Sequence, residues 1–325
     1  MRLSRRKVLV VLLVLGTLGV VAPRVHADLL LASSGTNSVL RYDQTSGASL
    51  GTFIASGSGG LSNPGNLVFG PEGDLYVTSA GTNSILRFNG TTGALLGTFA
   101  SGGGLRGPVD LTFGAGGDLF VSSSLTNSIL RYSGTSGAFL GTFASGGGLI
   151  NPRGLTFGPG GDLFVSSAGT GGVLRYSGAT GAFLSTFASG GGLTSPAAPL
   201  FGPNGELFVG NNLSNSILRF DGATGAPLGT FASGEGLLGP RKFLFGPNGD
   251  LYVTSTSNNS VLRYDGTTGA FLGTFVTPGS GGLIGPIGLT FTNAVPEPSS
   301  LAMLIIATVA ASCSTRRFRQ RTSTV

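Results

Sequence analysis

Histidine and cysteine are almost missing from this sequence of 325 residues, which has one of each and no tryptophan. The histidine is His26 and the cysteine is Cys313, so the long middle of the chain, residues 28–294, contains neither. This middle therefore cannot form a disulfide framework, a zinc site with cysteine or histidine ligands, a cysteine nucleophile or a Ser-His-Asp triad.

Excess positive charge is also missing from the middle of the chain, although the whole sequence carries a formal net charge of +6. Residues 28–294 contain ten basic and twelve acidic residues, which leaves a net charge of −2 there. All the excess positive charge lies in the two ends. The charge distribution argues against a nucleic-acid partner.

The first 27 residues have the composition of an export signal. Four basic residues lie among the first seven, an apolar run follows from residue 8 to 21, and the small residue Ala27 suits cleavage by signal peptidase. The stretch "SRRKVLV" resembles a twin-arginine signal, and the general secretory route is the alternative. We expect residues 1–27 to be removed from an exported protein.

The middle of the chain repeats itself with a fixed period. "GDLFVSSAGTGGVLRY" at residues 161–176 has counterparts at 73–88, 117–132, 205–220 and 249–264, and a sixth copy starts at Ala27. The arginine near the end of each copy recurs at spacings of 46, 44, 44, 44 and 44 residues. A period of this length is typical of a solenoid or a propeller.

Each period contains four short runs of β-branched and aromatic residues, bounded by Gly, Pro, Asn or Ser, and no helical periodicity. Four strands in about 44 residues predict one blade of a β-propeller. The first copy lacks a first strand, and "GLTFTN" at 288–293 is a first strand with nothing after it. We therefore predict an all-β, six-bladed propeller over residues 28–294, closed by N- and C-terminal strands that share one blade.

The stretch "NPRGLTFGPGGDLFVSSAGTGGVLRY" resembles the repeats of NHL-type six-bladed propellers, which combine an "NPxG" start, a "GxLYV" strand and an "Asn...Arg...Phe" strand. The resemblance covers residues 28–293. The family usually carries aspartate after the second strand, whereas serine stands there in this chain, at Ser79, Ser123, Ser167 and Ser255. A role of that aspartate is therefore not transferred to this chain.

Three sets of polar residues recur, and we interpret all of them as structural. The recurring carboxylates follow tight turns, where they can bond backbone N–H groups: Asp74, Asp118, Asp162, Glu206 and Asp250. Counting across the hairpins places Arg87 opposite Tyr76 and Arg131 opposite Phe120, which predicts an arginine–aromatic ladder. Asparagines precede the third strands, and Gly171 replaces one of them, which predicts a positive φ at Asn37, Asn83, Asn127, Asn215 and Asn259. No metal or other cofactor is predicted.

The repeats differ most just before each first strand, in loops that would surround one mouth of the central channel. The candidate binding residues are Asn66, Asp110, Arg153, Arg241 and Lys242. The alternative is that they are ordinary solvated loop residues. If they bind a ligand, the excess of basic groups favours an acidic polysaccharide or the acidic patch of a surface protein.

The chain ends with "VPEPSS", an apolar run and "RRFRQR". The apolar run from Leu301 to Ala311 has 11 residues, which is short for a membrane span of about 20. The three-part order resembles the bacterial PEP-CTERM sorting signal, which an exosortase processes, over residues 295–321 with a tail at 322–325. Its key residues here are Pro296, Glu297, Pro298, Arg316 and Arg317. This resemblance implies an exported protein of the cell surface or extracellular polysaccharide matrix, held in the membrane only through this segment before processing.

Two classes of function fit this organisation. One is a non-catalytic binding or scaffold module, and the other is an enzyme similar to metal-dependent lactonase or lyase propellers. Those enzymes place unlike carboxylate, Asn or His groups from different blades into the channel. Here most acids recur identically, only Asp110 and Glu235 stand out, and His is missing, which favours the binding module.

Overall fold

The computed structural model describes residues 27–292, which form six four-stranded antiparallel sheets arranged as the blades of one propeller. The predicted all-β, six-bladed fold is confirmed. The predicted signal peptide and the predicted sorting segment lie outside the described residues, so their boundaries stay predictions. Within residues 27–292 no helix is long and apolar enough to cross a membrane.

Each blade has an innermost strand at the channel, followed outward by three further strands. Blade 1 begins with β1 (Leu29–Ser33), β2 (Ser38–Tyr42) and β3 (Ser49–Ile54). Blade 2 contains β4 (Pro64–Phe69), β5 (Leu75–Ser79), β6 (Ser84–Phe88) and β7 (Leu95–Ser101). Blade 3 contains β8 (Pro108–Phe113), β9 (Leu119–Ser123), β10 (Ser128–Tyr132) and β11 (Phe139–Ser145).

The remaining blades follow the same order. Blade 4 contains β12 (Pro152–Phe157), β13 (Leu163–Ser167), β14 (Gly172–Tyr176) and β15 (Phe183–Ala188). Blade 5 contains β16 (Pro196–Phe201), β17 (Leu207–Asn211), β18 (Ser216–Phe220) and β19 (Pro227–Ser233). Blade 6 contains β20 (Pro240–Phe245), β21 (Leu251–Ser255), β22 (Ser260–Tyr264) and β23 (Phe271–Val276), and β24 (Pro286–Phe291) then completes blade 1. Short 3-10 turns occupy Ser58–Gly60, Thr256–Asn258 and Ser280–Gly282.

The ring closes by pairing of the two ends of the described chain. β24 is antiparallel to β1, with Phe291 opposite Leu29. Beyond the strands, the Thr292 N–H donates to the Asp28 carbonyl at 2.8 Å, and the Asp28 N–H donates to Thr292 Oγ1 at 2.8 Å. The predicted sharing of one blade by the two ends is therefore confirmed.

The core lies between neighbouring blades, where the alternate residues of each strand meet the next sheet. Between blades 2 and 3, Tyr76 packs with Leu111 and Val121, and Phe99 and Phe113 meet its ring edge-on at centroid distances of 4.7 and 5.1 Å. Equivalent clusters fill the other five junctions. Each fully buried large apolar side chain stabilises the ring by about 1.5–3 kcal/mol.

The predicted stacking of recurring arginines on aromatic rings is found for Arg87, Arg131 and Arg175, whereas Arg41 lies opposite Leu30. Arg87 lies opposite Tyr76 and Arg131 opposite Phe120, and each guanidinium carbon is 5.8 Å from the ring centroid. The recurring carboxylates have a different main partner from the turn N–H groups that we predicted, because each pairs with the arginine of its own blade. Arg131 Nη2 lies 2.5 Å from Asp118 Oδ2, whereas the turn nitrogen of Gly134 lies 3.4 Å from Asp118 Oδ1.

The asparagines before the third strands have the predicted positive φ, between 52° and 58°, and Gly171 has a φ of 70° at the equivalent place. Their side chains also connect neighbouring blades. The Gly107 N–H, in the loop that leads to blade 3, donates to Asn83 Oδ1 of blade 2 at 2.8 Å. Gly171 has no side chain with which to make this connection.

The propeller has two distinct faces. On the top face lie the hairpins between second and third strands and the loops that lead to each innermost strand. Every innermost strand runs from this top face to the bottom face. Because β1 starts beside the end of β24, the chain enters and leaves the described region at the bottom face.

Candidate binding site at the channel mouth

Each innermost strand begins with a bulge that turns two residues out of the strand ladder. In blade 3, Pro108 pairs with Ser123 and Leu111 with Val121, so that two residues on β8 face one on β9. The bulge residues of the six blades, called the mouth residues below, are Gly65 and Asn66, Val109 and Asp110, Arg153 and Gly154, Ala197 and Ala198, Arg241 and Lys242, and Ile287 and Gly288.

A buried hydroxyl on the second strand holds most of these bulges. Ser122 Oγ accepts the Asp110 N–H at 2.9 Å and donates to the Arg153 carbonyl of the next blade at 2.7 Å. Thr78, Ser166 and Thr254 do the same in blades 2, 4 and 6. This role was not among the predictions, although a recurring hydroxyl residue inside an otherwise apolar strand is the sequence signal for it.

The serines at the ends of the second strands hold the loop that leads to the innermost strand of the same blade. Ser123 Oγ accepts the Arg106 N–H at 2.9 Å, and Ser79 Oγ accepts the Ser62 N–H at 3.0 Å. In blade 5, Asn211 takes this place and accepts from Thr194 and Ser195. Serine therefore fixes the top loops, which in turn set the positions of the mouth residues.

All five predicted binding residues line one cavity at the top of the channel, together with mouth residues Val109, Gly154, Ala197 and Ile287. The cavity measures about 20 Å³, room for one or two water molecules. A second, larger space of about 170 Å³ lies further along the channel, where apolar residues of all six innermost strands form much of its wall. Asn66 and Lys242 border both spaces and so separate them.

Asp110 is the centre of a hydrogen-bond network in this cavity. It is buried, and its carboxylate accepts the Leu111 N–H at 2.8 Å, the Leu155 N–H at 3.2 Å and the Asn66 amide. Its Oδ2 also accepts from Lys242 Nζ at 2.9 Å. Because blades 3 and 6 are opposite each other in a ring of six, this ion pair spans the channel.

Arg153 and Arg241 have no such partner. Arg153 Nη1 and Arg241 Nε are buried and make no hydrogen bond within the described residues. Burial lowers the pKa of both groups, and the nearby positive charge of Arg153 helps to lower that of Arg241 to about 10. Between their blades, blade 5 offers only alanines, Ala197 and Ala198, so both guanidinium groups reach the same cavity without an acid between them.

The arrangement suits an anion better than a metal ion. Three cationic side chains and one carboxylate line the cavity, which is a formal excess of two positive charges. Arginine N–H groups without partners form strong hydrogen bonds with carboxylate or phosphate oxygens. Within residues 27–292, no three His, Cys, Asp or Glu side chains come together in a way that could hold a metal.

Comparison with known proteins identifies the fold and no family. No family model matches the sequence, and no curated protein matches it. A chain of the Nidogen/Laminin complex superposes with a TM-score of 0.68 at 18% identity, covering 82% of this chain and 98% of that chain. Virginiamycin B lyase from Staphylococcus aureus gives 0.55 at 20% identity, covering 71% and 77%. A Bacteroides caccae protein of unknown function gives 0.64 at 13% identity, covering 82% and 99%.

Proposed function

We propose that this protein is an exported, non-catalytic binding propeller that receives an anionic group of its ligand at the channel mouth. The observation that carries the proposal is the pair of half-buried arginines, Arg153 and Arg241, which share one cavity and have no acid partner. A buried charge without a partner is costly, and proteins normally pair it. A ligand carboxylate between the two guanidinium groups would supply that partner.

The Asp110–Lys242 pair has a different part in this proposal. Lys242 Nζ and Asp110 Oδ2 form an ion pair with each other. Lys242 therefore serves as a brace across the channel and is not available to bind a ligand. The Asp110 carboxylate is already engaged by Lys242, by the Leu111 and Leu155 N–H groups and by the Asn66 amide, and it forms no ion pair with Arg153 or Arg241. The brace also limits the depth to which a ligand can enter.

The proposed setting is the cell surface or the extracellular matrix, after export and sorting through the PEP-CTERM-like segment. The described chain ends at the bottom face, whereas the mouth is at the top face. The ligand classes are an acidic polysaccharide or an acidic patch of a surface protein.

An enzymatic function of the lyase kind has less support from the residues. One structural neighbour is described as a catalytically inactive variant of virginiamycin B lyase in which a histidine is replaced. Residues 27–292 of the present chain contain no histidine. Likeness of fold at 20% identity does not carry activity from one propeller to another.

The proposal can be tested with polymers of known charge. We would measure binding of the purified full-length chain to polygalacturonate, polyglutamate and neutral dextran at low and high ionic strength. At least one acidic polymer should bind, dextran should not, and salt should weaken the binding. The double variant Arg153→Ala/Arg241→Ala should bind about tenfold more weakly or worse, because charged hydrogen-bond partners at a desolvated site contribute strongly.

Arg131→Ala is the matched control, since Arg131 is already paired with Asp118 and lies at a blade position that recurs. It should leave polymer binding unchanged. Equal binding of both acidic polymers by the wild type and the double mouth variant would contradict the proposal. Hydrolysis of a lactone, or cleavage of a streptogramin, by the purified chain would favour the enzyme alternative instead.

A further inference from the structure

The top face carries a set of exposed aliphatic side chains around the mouth. In each blade two positions on this face are neighbours, one in the hairpin between second and third strands and one in the loop before the innermost strand. Their backbones are hydrogen-bonded in most blades, as where the Leu125 N–H donates to the Arg106 carbonyl at 3.2 Å. Five of the six blades place one large aliphatic residue in this pair of positions, namely Leu125, Ile150, Leu213, Leu238 and Ile284, which we call the aliphatic ring.

The blades reach this result in two ways. Where the loop supplies isoleucine, the hairpin has glycine, and a Cβ on Gly169 would lie 2.4 Å from the side chain of Ile150. Where the hairpin supplies leucine, the loop residue is polar, as with Leu213 and Thr194. No pair contains two large aliphatic side chains, and in blade 3 the residue beside Leu125 is Arg106. The position of the large aliphatic side chain changes from blade to blade, while its aliphatic character is kept in all blades except blade 2.

Packing within the propeller does not account for these residues. Leu125 and Leu213 expose 71% and 73% of their surface, and the other three expose 42–49%. A residue kept for the core would be buried, as the leucines one position earlier in the loops are at Leu149 and Leu237. Five exposed aliphatic side chains at equivalent places on the face that carries the mouth are better explained by an interaction surface than by packing within the propeller.

The ring and the unpaired arginines are parts of one surface. Ile150 lies three residues before Arg153, and Leu238 lies three residues before Arg241. Three residues of extended chain span at most about 10 Å. An occupant of the mouth cavity would therefore lie within reach of the ring.

We infer that the top face binds a partner protein, which inserts an aspartate or glutamate side chain between Arg153 and Arg241 and packs apolar side chains against the aliphatic ring. This inference rests on the proposed function and names the ligand class. Protein interfaces combine a desolvated charged contact with an apolar surround in this way. A cavity of about 20 Å³ admits a carboxylate, the smallest of the common biological oxyanions, more easily than a phosphate or sulfate.

A polysaccharide fits this surface less well. Its hydroxyl groups need polar partners, and the branched side chains of leucine and isoleucine supply none. The exposed large apolar residues beside the mouth are all aliphatic, and they lack the flat ring face that a sugar ring can cover. An anionic group in the cavity could belong to a polysaccharide or to a protein. The aliphatic ring around the cavity favours a protein.

The test uses a phage-displayed library of cyclic peptides, selected on the purified full-length chain. Peptides that contain Asp or Glu beside aliphatic or aromatic residues should be enriched. Two variants should then lose about tenfold or more of the affinity for the enriched peptides. They are the mouth variant Arg153→Ala/Arg241→Ala and the ring variant Leu125→Ser/Leu213→Ser, which alters the two most exposed members and so leaves the core intact.

The matched control is Leu96→Ser/Leu140→Ser, which changes two leucines of similar type on the outermost strands, half exposed and distant from the mouth positions in each blade. It should bind the enriched peptides as the wild type does. Full peptide binding by the ring variant, or enrichment of peptides without acids, would overturn the inference. Loss of binding to phosphatidylserine vesicles in the ring variant, with peptides unaffected, would assign the ring to a membrane surface and also overturn it.

The polymers separate this inference from the proposed function. If the mouth variant loses polygalacturonate or polyglutamate binding while the ring variant loses no peptide binding, the anion site stands and the protein partner is wrong. If the mouth variant binds all acidic polymers and peptides as the wild type does, the proposed function itself fails.

Discussion

Eight of the nine arginines between residues 28 and 294 fall into two groups that differ in their partners. Six lie in the third strands, and each is within 3.6 Å of a carboxylate of its own blade: Arg41, Arg87, Arg131, Arg175, Arg219 and Arg263. The other two, Arg153 and Arg241, lie in the mouth and form no ion pair with any carboxylate of residues 27–292, and each has a buried nitrogen atom without a hydrogen-bond partner, as Arg219 Nε also has.

The difference separates architecture from recognition. A repeat that supplies an acid for every recurring arginine can evidently place carboxylates where the fold needs them. Among residues 27–292, the only carboxylate that lines the mouth cavity is that of Asp110, and Lys242 holds it instead. The unpaired arginines therefore reflect the chemistry of one site, and the paired ones reflect the common blade.

The largest effect should come from removing the acid at the mouth. Asp110→Asn would leave Lys242 beside two arginines without compensation and should lower the free energy of unfolding by about 3–5 kcal/mol. Asp118→Asn, which removes an acid from a paired arginine at a partly exposed site, should cost about 0–1 kcal/mol. Urea unfolding followed by circular dichroism would measure both changes.

A second variant tests the cause of the first effect. Adding Lys242→Met to Asp110→Asn removes the orphaned charge and should recover a large part of the lost stability. Equal losses in the free energy of unfolding for Asp110→Asn and Asp118→Asn would contradict this prediction, because the mouth acid would then contribute no more to stability than a blade acid.

An intermediate effect of opposite sign should follow at Arg241. Burial and the charge of Arg153 hold the pKa of Arg241 near 10, well below the usual value of an arginine, so the charged form is disfavoured in the folded protein. Arg241→Met should therefore raise the free energy of unfolding at pH 7 by about 1–2 kcal/mol. Arg131→Met, which removes a paired arginine, should leave it unchanged or lower it by up to about 1 kcal/mol.

The pH dependence gives a further check on Arg241. In the folded protein Arg241 releases its proton near pH 10, whereas in the unfolded chain it keeps the proton to a higher pH. Because the unfolded state then binds more protons at this side chain, the destabilisation caused by Arg241 diminishes as pH rises above 10, and the deficit of the wild type in free energy of unfolding relative to Arg241→Met should narrow. A constant difference between pH 7 and pH 11 would argue against a buried, repelled charge.

The fold could be predicted well because the sequence contains six copies of one repeat. A spacing of 44 residues, four strand-like runs and a missing first strand were enough to predict six blades and their closure. The mouth residues could also be found, because they stand where the copies disagree. The ion pair between Asp110 and Lys242 could not be predicted, because these residues are 132 positions apart in the sequence and meet only across the closed ring.

Other features of the site depend on geometry that one repeat does not reveal. Counting across a hairpin placed Arg87 opposite Tyr76, but the contact of Arg87 with Asp74 joins the third strand to the turn before the second strand. The connection that the Ser122 hydroxyl makes between blades could not be predicted, because the carbonyl to which it donates, that of Arg153, belongs to the next blade. Contacts within a hairpin can be counted from sequence, whereas contacts between blades require the bulge and the ring.

The smallest effect should come from a recurring residue that lies near the mouth and carries no charge. Asn83→Gly keeps the positive φ that this position needs and removes the hydrogen bond from the Gly107 N–H, so the free energy of unfolding should fall by about 1 kcal/mol. Gly171 gives the matched control. Gly171→Asn should change stability little, because the Ser195 N–H group beside it already donates to Asn211 Oδ1.

Asn83→Gly should also leave polyglutamate binding unchanged, which is the reverse of the pattern expected for Arg241→Met. If Asn83→Gly weakens polymer binding as much as the mouth variant does, recurring residues would share in recognition, and the division between paired and unpaired arginines would lose its functional meaning.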